Sequence, residues 1–202
     1  TGPEYTSGPR VSDTYRELWR RFDALPGVQA SGAVSALPLS QMMAWGPITV
    51  EGRVPQPGEA FINVDQRIVT GGYFEAMRIP LLEGRMFDDR DTPDAPRAIV
   101  IDERMATTLW PGETALGKRV RRGGFDATSN APWLTVVGVV GHVKQDALDA
   151  DARMAMYLAH RQAPRRAMTA VVRTSGPAEA LTAPIRETIA GVDAALPMFR
   201  VK

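Results

Sequence analysis

The sequence predicts an α+β fold: a split βαβ unit of the ferredoxin-like kind, interrupted by an inserted, mainly β part. Two observations carry this. An amphipathic helix, a Pro/Gly-containing turn and a valine-bearing strand occur near both ends, over 15–34 and again over 181–201. The stretch between, roughly 84–162, reads mostly as short strands separated by turns. The expected division is a flexible arm over 1–11, a discontinuous unit formed by 12–83 and 163–202, and an inserted mainly-β unit over 84–162.

Each element has a local reason. Residues 1–11 are rich in Gly, Pro and Ser and read as an arm. Tyr15, Leu18, Trp19, Phe22 and Leu25 then share one helical face, with Thr14 and Glu17 at capping-box spacing and Pro26-Gly27 as the stop. A strand follows over 28–37, then an unusually apolar loop over 38–46, a short strand over 48–52 and a Pro/Gly turn over 54–59. From Phe61 to Val69, Asn63, Asp65 and Arg67 fall on one parity and Ile62, Val64 and Ile68 on the other, which predicts a strand covered on one face. Gly71-Gly72 opens a short helix that ends before Pro80, and 81–87 reads as an extended connector to an acidic loop over 88–94.

The middle continues in the same way. Ala98–Ile101 reads as a buried strand, and Asp102 caps a helix to Leu109. Strands are expected over 118–122 and 133–140, joined by a flexible loop over 123–132, and again over 154–158 and 168–173. The last helix carries Leu181, Ile185, Ile189 and Val192 on one face; Pro184 within it predicts a start near Thr182 or a bend. Residues 199–202 read as a closing strand.

Composition narrows the function classes. The 202 residues suffice for a real core, and 44% hydrophobic with 23% charged residues is ordinary for a globular domain. A net charge of +1 gives no reason to expect nucleic acid. Without cysteine there are no disulfides, thiolate metal sites or thiol nucleophiles. No apolar run reaches bilayer-spanning length, and no signal-peptide pattern is present. The chain opens without methionine and stops within the expected last strand, which predicts a domain excised from a longer polypeptide.

Several motifs invite a chemical reading and fail on context. Gly112, Gly117 and Lys118 have the spacing of a phosphate-binding loop, but Arg119 stands where a Ser or Thr would hold Mg²⁺, a helix precedes and a strand follows. A structural turn is expected instead. Asp88, Asp89, Asp91 and Asp94 suggest a cation loop; counted from Asp89, the sixth and twelfth positions are Asp94 and Val100, where an EF-hand needs Gly and Glu. A solvated loop is the better expectation. His142 and His160 have no acid or histidine at metal-ligand spacing, and no G-x-S-x-G elbow exists. No catalytic residue, metal site or cofactor is expected. Arg119, Arg121 and Arg122 with Arg161, Arg165 and Arg166 read as solvated strand ends or a face toward lipid headgroups, without aromatics between them. Met42, Met43 and Trp45 are the candidate partner or ligand contacts, since Met and Trp suit adaptable apolar surfaces; the alternative is that their loop folds back over its own core.

Eight segments in order resemble a known family: Leu25-Pro26-Gly27-Val28, Ala33 to Leu39, Val50-Glu51-Gly52-Arg53, Val69 to Phe74, Ile79 to Arg85, Leu109-Trp110-Pro111-Gly112 with Leu116 to Arg119, Val136 to Gly141, and Val192-Asp193 with Leu196-Pro197. Together they span nearly the whole chain and are similar to the periplasmic core domain of MacB-like ABC-transporter permeases, of the orphan tandem type. The resemblance implies a porter-like subdomain split by a mainly β insertion, lying in the periplasm between two transmembrane helices of an inner-membrane efflux or export protein. It implies a non-enzymatic, mechanotransmitting domain whose partners are its own membrane helices and an ABC ATPase subunit. A second permease copy or a periplasmic protein is a further partner candidate. The sequence holds no ATPase segment, and its insertion is shorter than MacB's adaptor-docking one. His142 stands where an acidic residue is expected. A ligand-binding sensor or carrier domain, holding an apolar molecule between the subdomains, is the competing expectation.

Overall fold

The computed structural model describes residues 7–40, 44–55, 58–59, 61–124, 130–144 and 153–198. Its elements run α1 (Gly8–Phe22), β1 (Val28–Val34), β2 (Trp45–Val50), β3 (Ile62–Gly71), α2 (Tyr73–Ala76), β4 (Leu81–Gly84), β5 (Ala98–Asp102), α3 (Glu103–Leu109), β6 (Arg119–Arg122), β7 (Leu134–Val140), β8 (Ala155–Ala159), β9 (Thr169–Thr174) and α4 (Thr182–Val192). The architecture is mixed α and β, with all nine strands among the described residues in one sheet.

Six of the strands close into a barrel in the order β2-β6-β7-β5-β8-β3, and the β2–β3 hairpin completes the ring. The β3–β8 and β5–β7 pairs are parallel, and the other barrel pairs are antiparallel. Every barrel strand contributes to one cluster that includes Ile48, Val64, Ile99, Val120, Val136 and Met156, which is therefore the barrel interior. Met105 on α3 joins that cluster with Trp110 and Ala115 from the following turn, and these plug the end where β5 finishes.

The remaining strands extend this ring. β1 pairs with the far half of β3, and β9 pairs with β1. α1 and α4 cover the β1–β9 sheet through Leu18, Trp19, Phe22, Ile185 and Ile189. On the outer wall of the barrel, Tyr73 and Phe74 of α2 meet Tyr157 of β8, Phe74 edge-on at 5.0 Å. The expected boundary at residue 84 falls within this sheet: β2 and β3 from the first segment complete the ring with β5 to β8.

Some elements differ from the sequence expectation for identifiable reasons. α1 begins six residues before Thr14, because Ser7 caps it at the Arg10 amide and Pro9 suits the first turn. Residues 8–11, expected in the arm, are thus helical, and Val11 is buried. Thr14 bonds back to the Arg10 carbonyl, while Glu17 pairs with Arg20 and Arg21. The extended segment after Pro80 is a strand, β4, on the outer edge of β7. α4 starts at Thr182, so Pro184 lies in the first turn, where its missing N–H costs nothing. The strand expected over 199–202 lies outside the described residues.

One close approach in this frame is between β1 and the start of α2. A Cβ on Gly32 would lie 2.4 Å from the Tyr73 nitrogen and 2.6 Å from the Thr70 carbonyl oxygen. Both are backbone atoms that cannot swing aside. Gly32→Ala is expected to lower stability by about 1–3 kcal/mol, read as a fall in the urea midpoint at unchanged slope.

Candidate functional site

β3 is the structural hub. One of its edges pairs with β8 over Asp65 to Val69. The other pairs with β1 over Val69 to Gly71 and with β2 over Ile62 to Asp65, in succession. Between those two partners the chain leaves the ladder. The Ser35 amide donates to the Ile68 carbonyl at 2.9 Å, and the Ser35 hydroxyl accepts from the Ile68 amide at 3.0 Å. The chain returns where the Gln66 amide donates to the Ala44 carbonyl at 2.7 Å. Only Arg67 of β3 lies between exit and return.

Arg67 holds the returning end in place. Its Nη1 donates to the Ala44 carbonyl at 3.1 Å, and its Nη2 lies 3.4 Å from Asp65 Oδ1. Both residues are 1% exposed. Strand alternation did point Asp65 and Arg67 to the outer face of β3, but that face is covered, which corrects the expected one-faced burial. Alternating polarity signals a face without saying what lies on it.

Of the three expected contact residues, Trp45 opens β2 with 46% exposure, and the Arg153 guanidinium sits 5.6 Å from its ring centre. Met42 and Met43 lie outside the described residues.

A second crossing runs from β8 to β9 through buried His160. Its amide donates to the Val69 carbonyl at 3.0 Å, and its Nε2 lies 2.9 Å from the Arg165 carbonyl and 3.1 Å from the Arg165 amide. Tyr15 of α1 meets the imidazole edge-on at 4.9 Å and donates its hydroxyl to the Arg166 carbonyl at 2.7 Å. Burial pushes the Tyr15 hydroxyl up to about 12 and holds His160 below its ordinary value. At the far end of the layer, Arg21 Nη1 on α1 donates to the Gly191 carbonyl on α4 at 3.0 Å.

The other motifs settle into structural roles. The turn over 112–118 spends its amides on the sheet and on itself: Gly117 donates to Val136 of β7, Lys118 donates to Ala115 within the turn, and the lysine ammonium pairs with Glu113 at 2.6 Å. The acidic loop is not freely solvated. Asp91 is buried, accepts a two-pronged bond from Arg85 at 2.7 and 2.8 Å, and accepts from the Asp88 amide. The Arg90 partner draws the Asp88 carboxyl well below the usual carboxylate range. Aromatic interleaving, absent from local sequence, is supplied by Trp133, with Arg119 and Arg121 5.8 and 5.3 Å from its ring centre. Arg161 pairs instead with Asp89.

Sequence order hid one pair. Asp102 caps α3 through the Met105 amide at 2.8 Å, accepts from the Ala155 amide at 3.1 Å, and lies 2.5 Å from Nδ1 of His142. Burial raises the Asp102 carboxyl, and His142 with the two amides opposes that shift. The pair braces α3 against the end of β7 and the start of β8. Among the described residues no group of three or more His, Asp or Glu is placed to hold a metal ion, and no helix is long and apolar enough to cross a membrane.

Comparison with known proteins places this architecture. The family model described as the MacB-like periplasmic core domain matches residues 2–188. No curated protein matches the chain. Three solved structures share its fold. The periplasmic region of MacB from Actinobacillus actinomycetemcomitans superposes with a TM-score of 0.58 at 14% identity, over 88% of this chain and 73% of that one. The extracellular domain of the noncanonic ABC-type transporter YknZ from Gram-positive bacteria gives 0.54 at 18% identity, over 91% and 84%. A domain of a putative permease protein from Porphyromonas gingivalis gives 0.54 at 15% identity, over 89% and 69%.

Two measurements check the electrostatics of the crossings. Arg67→Met alone leaves Asp65 buried without its guanidinium and is expected to cost about 3–5 kcal/mol; pairing it with Asp65→Val is expected to cost less than the single change. For His160, a folded-state pKa below the unfolded 6.5 means the unfolded chain binds the proton first. Its contribution is complete above that pH and is lost as pH falls below it. The urea midpoint should therefore drop between about pH 7 and 5, and His160→Gln should flatten that slope.

Proposed function

The chain belongs to the MacB-like periplasmic core domain family, and from that premise we propose that it relays motion between membrane-spanning segments and the space outside the inner membrane. An extracytoplasmic position follows from the family. The carrying observation is that α1, near the chain's beginning, and α4, near its end, pack together in one layer through Leu18, Phe22, Ile185 and Ile189 and are tied by Arg21 to Gly191. Membrane helices joined to both would pull on the same layer. From there force reaches the barrel through β3, which is hydrogen-bonded to β1 on one side of the junction and to β2 and β8 on the other. The discontinuous unit of 12–83 and 163–202 and the inserted 84–162 then move as one body.

In this reading ATP is hydrolysed by a cytoplasmic ABC ATPase partner, and the domain carries the resulting movement outward for export. Bond chemistry is no part of its role. The sites that resemble catalytic motifs are consumed in structural bonds: Lys118 by Glu113, Asp91 by Arg85, and His142 by Asp102.

These 202 residues contain no cysteine, so introduced cysteines are the only thiols within the domain. In the membrane-embedded full-length transporter, spin labels at Arg16→Cys on α1 and Arg104→Cys on α3 should keep a constant separation through every nucleotide state. The distance of each label from the bilayer surface should change with nucleotide. A changing separation, or labels fixed relative to the bilayer during active transport, overturns the proposal.

A further inference from the structure

The barrel has one plugged end and one open end. At the open end β5 and β7 begin and β6 and β8 finish, and a cleft of about 320 Å³ lies there. That volume is at the small end of the range for small-molecule sites, about 300–1,000 Å³. Pro132, Leu134, Leu158 and Ala163 give it an apolar wall, and among the described residues Arg97 and Arg122 are its only charged lining residues.

The two guanidinium groups are held by neutral partners. Arg122 follows the inward parity of Val120 and donates Nε to Gln66 Oε1 at 2.6 Å. Arg97 donates Nη1 to the Gln162 carbonyl. The Gln162 side chain is fixed in turn: Oε1 accepts from the Ala98 amide at 2.9 Å, and Nε2 donates to the Thr92 and Pro96 carbonyls at 3.0 and 3.1 Å. Neither arginine has a carboxylate partner among the described residues. Elsewhere in the protein Arg21, Arg85, Arg90 and Arg119 are each matched by an acid. Two oriented cations with no carboxylate partner among the described residues, set beside an apolar wall, attract an anion that carries an apolar body.

We propose that this barrel mouth binds a small single-chain anionic amphiphile, its carboxylate between Arg97 and Arg122 and its alkyl body along Leu134 and Leu158. The proposal does not depend on the force-relay role.

Calorimetric titration of the 202-residue chain with octanoate tests it, with acetate and octanol as controls that lack the body and the charge respectively. Octanoate should bind saturably, with each control at least about tenfold weaker, and amide chemical shifts should move at Leu134, Leu158 and Ala163. Arg97→Gln and Arg122→Gln should each weaken octanoate about tenfold, the loss expected of one charge-assisted hydrogen bond. Arg122→Lys should recover part of that loss, and an unchanged urea midpoint in each variant excludes unfolding as its cause. Absence of saturable binding, equal binding of octanoate and octanol, or affinity indifferent to both Gln variants overturns the proposal.

Discussion

The double-edged pairing of β3 is the constraint on which the rest of the structure depends. A strand ten residues long serves as barrel stave over its first half and as the neighbour of β1 over its second. Its amides and carbonyls are taken up on both edges, so it cannot shift register without breaking β1, β2 and β8 together. The buried Asp65–Arg67 pair adds directionality at the changeover. Apolar side chains would give comparable burial, but a guanidinium aimed at the Ala44 carbonyl specifies where the loop must return.

Closure of the barrel complements that constraint. A ring of six strands has no free edges, and its interior is packed from every side by Ile48, Ile99, Val120 and Met156. Besides the β1–β3 ladder, two chain crossings join the helical layer to the barrel, and Ser35, Ala44 and His160 at their feet bond β3 at Ile68, Gln66 and Val69.

Much of this was legible in the sequence because periodicity reports local exposure. The helical face from Tyr15 to Phe22, the apolar run at 98–101 and the Pro184 punctuation fall where the pattern places them, while Leu25 joins the same cluster from the turn beyond the helix. Family resemblance was legible from eight ordered segments, although no single one is diagnostic. What sequence could not supply is contact at a distance. β4 carries too few residues for alternation to show and is a strand only because β7 has an edge to offer. Trp133 stands between two arginines that are 12 or more positions away. Asp102 was visible as a helix cap, yet its second oxygen belongs to His142, 40 residues on. The polar parity of β3 pointed to solvent by convention, and tertiary cover overrode it. For the loop, composition singled out Trp45, whose ring is half exposed beneath Arg153.

The excursion between β1 and β2 has an evolutionary meaning. Both its feet are pinned to neighbouring positions of one strand, so its span is fixed by β3 and not by its own length. Residues can be added or removed there at small entropic cost, a few tenths of a kcal/mol per modest change, while the ladder on either side keeps its register. Descendants of this chain can therefore vary the length of that segment without rebuilding the scaffold that carries it.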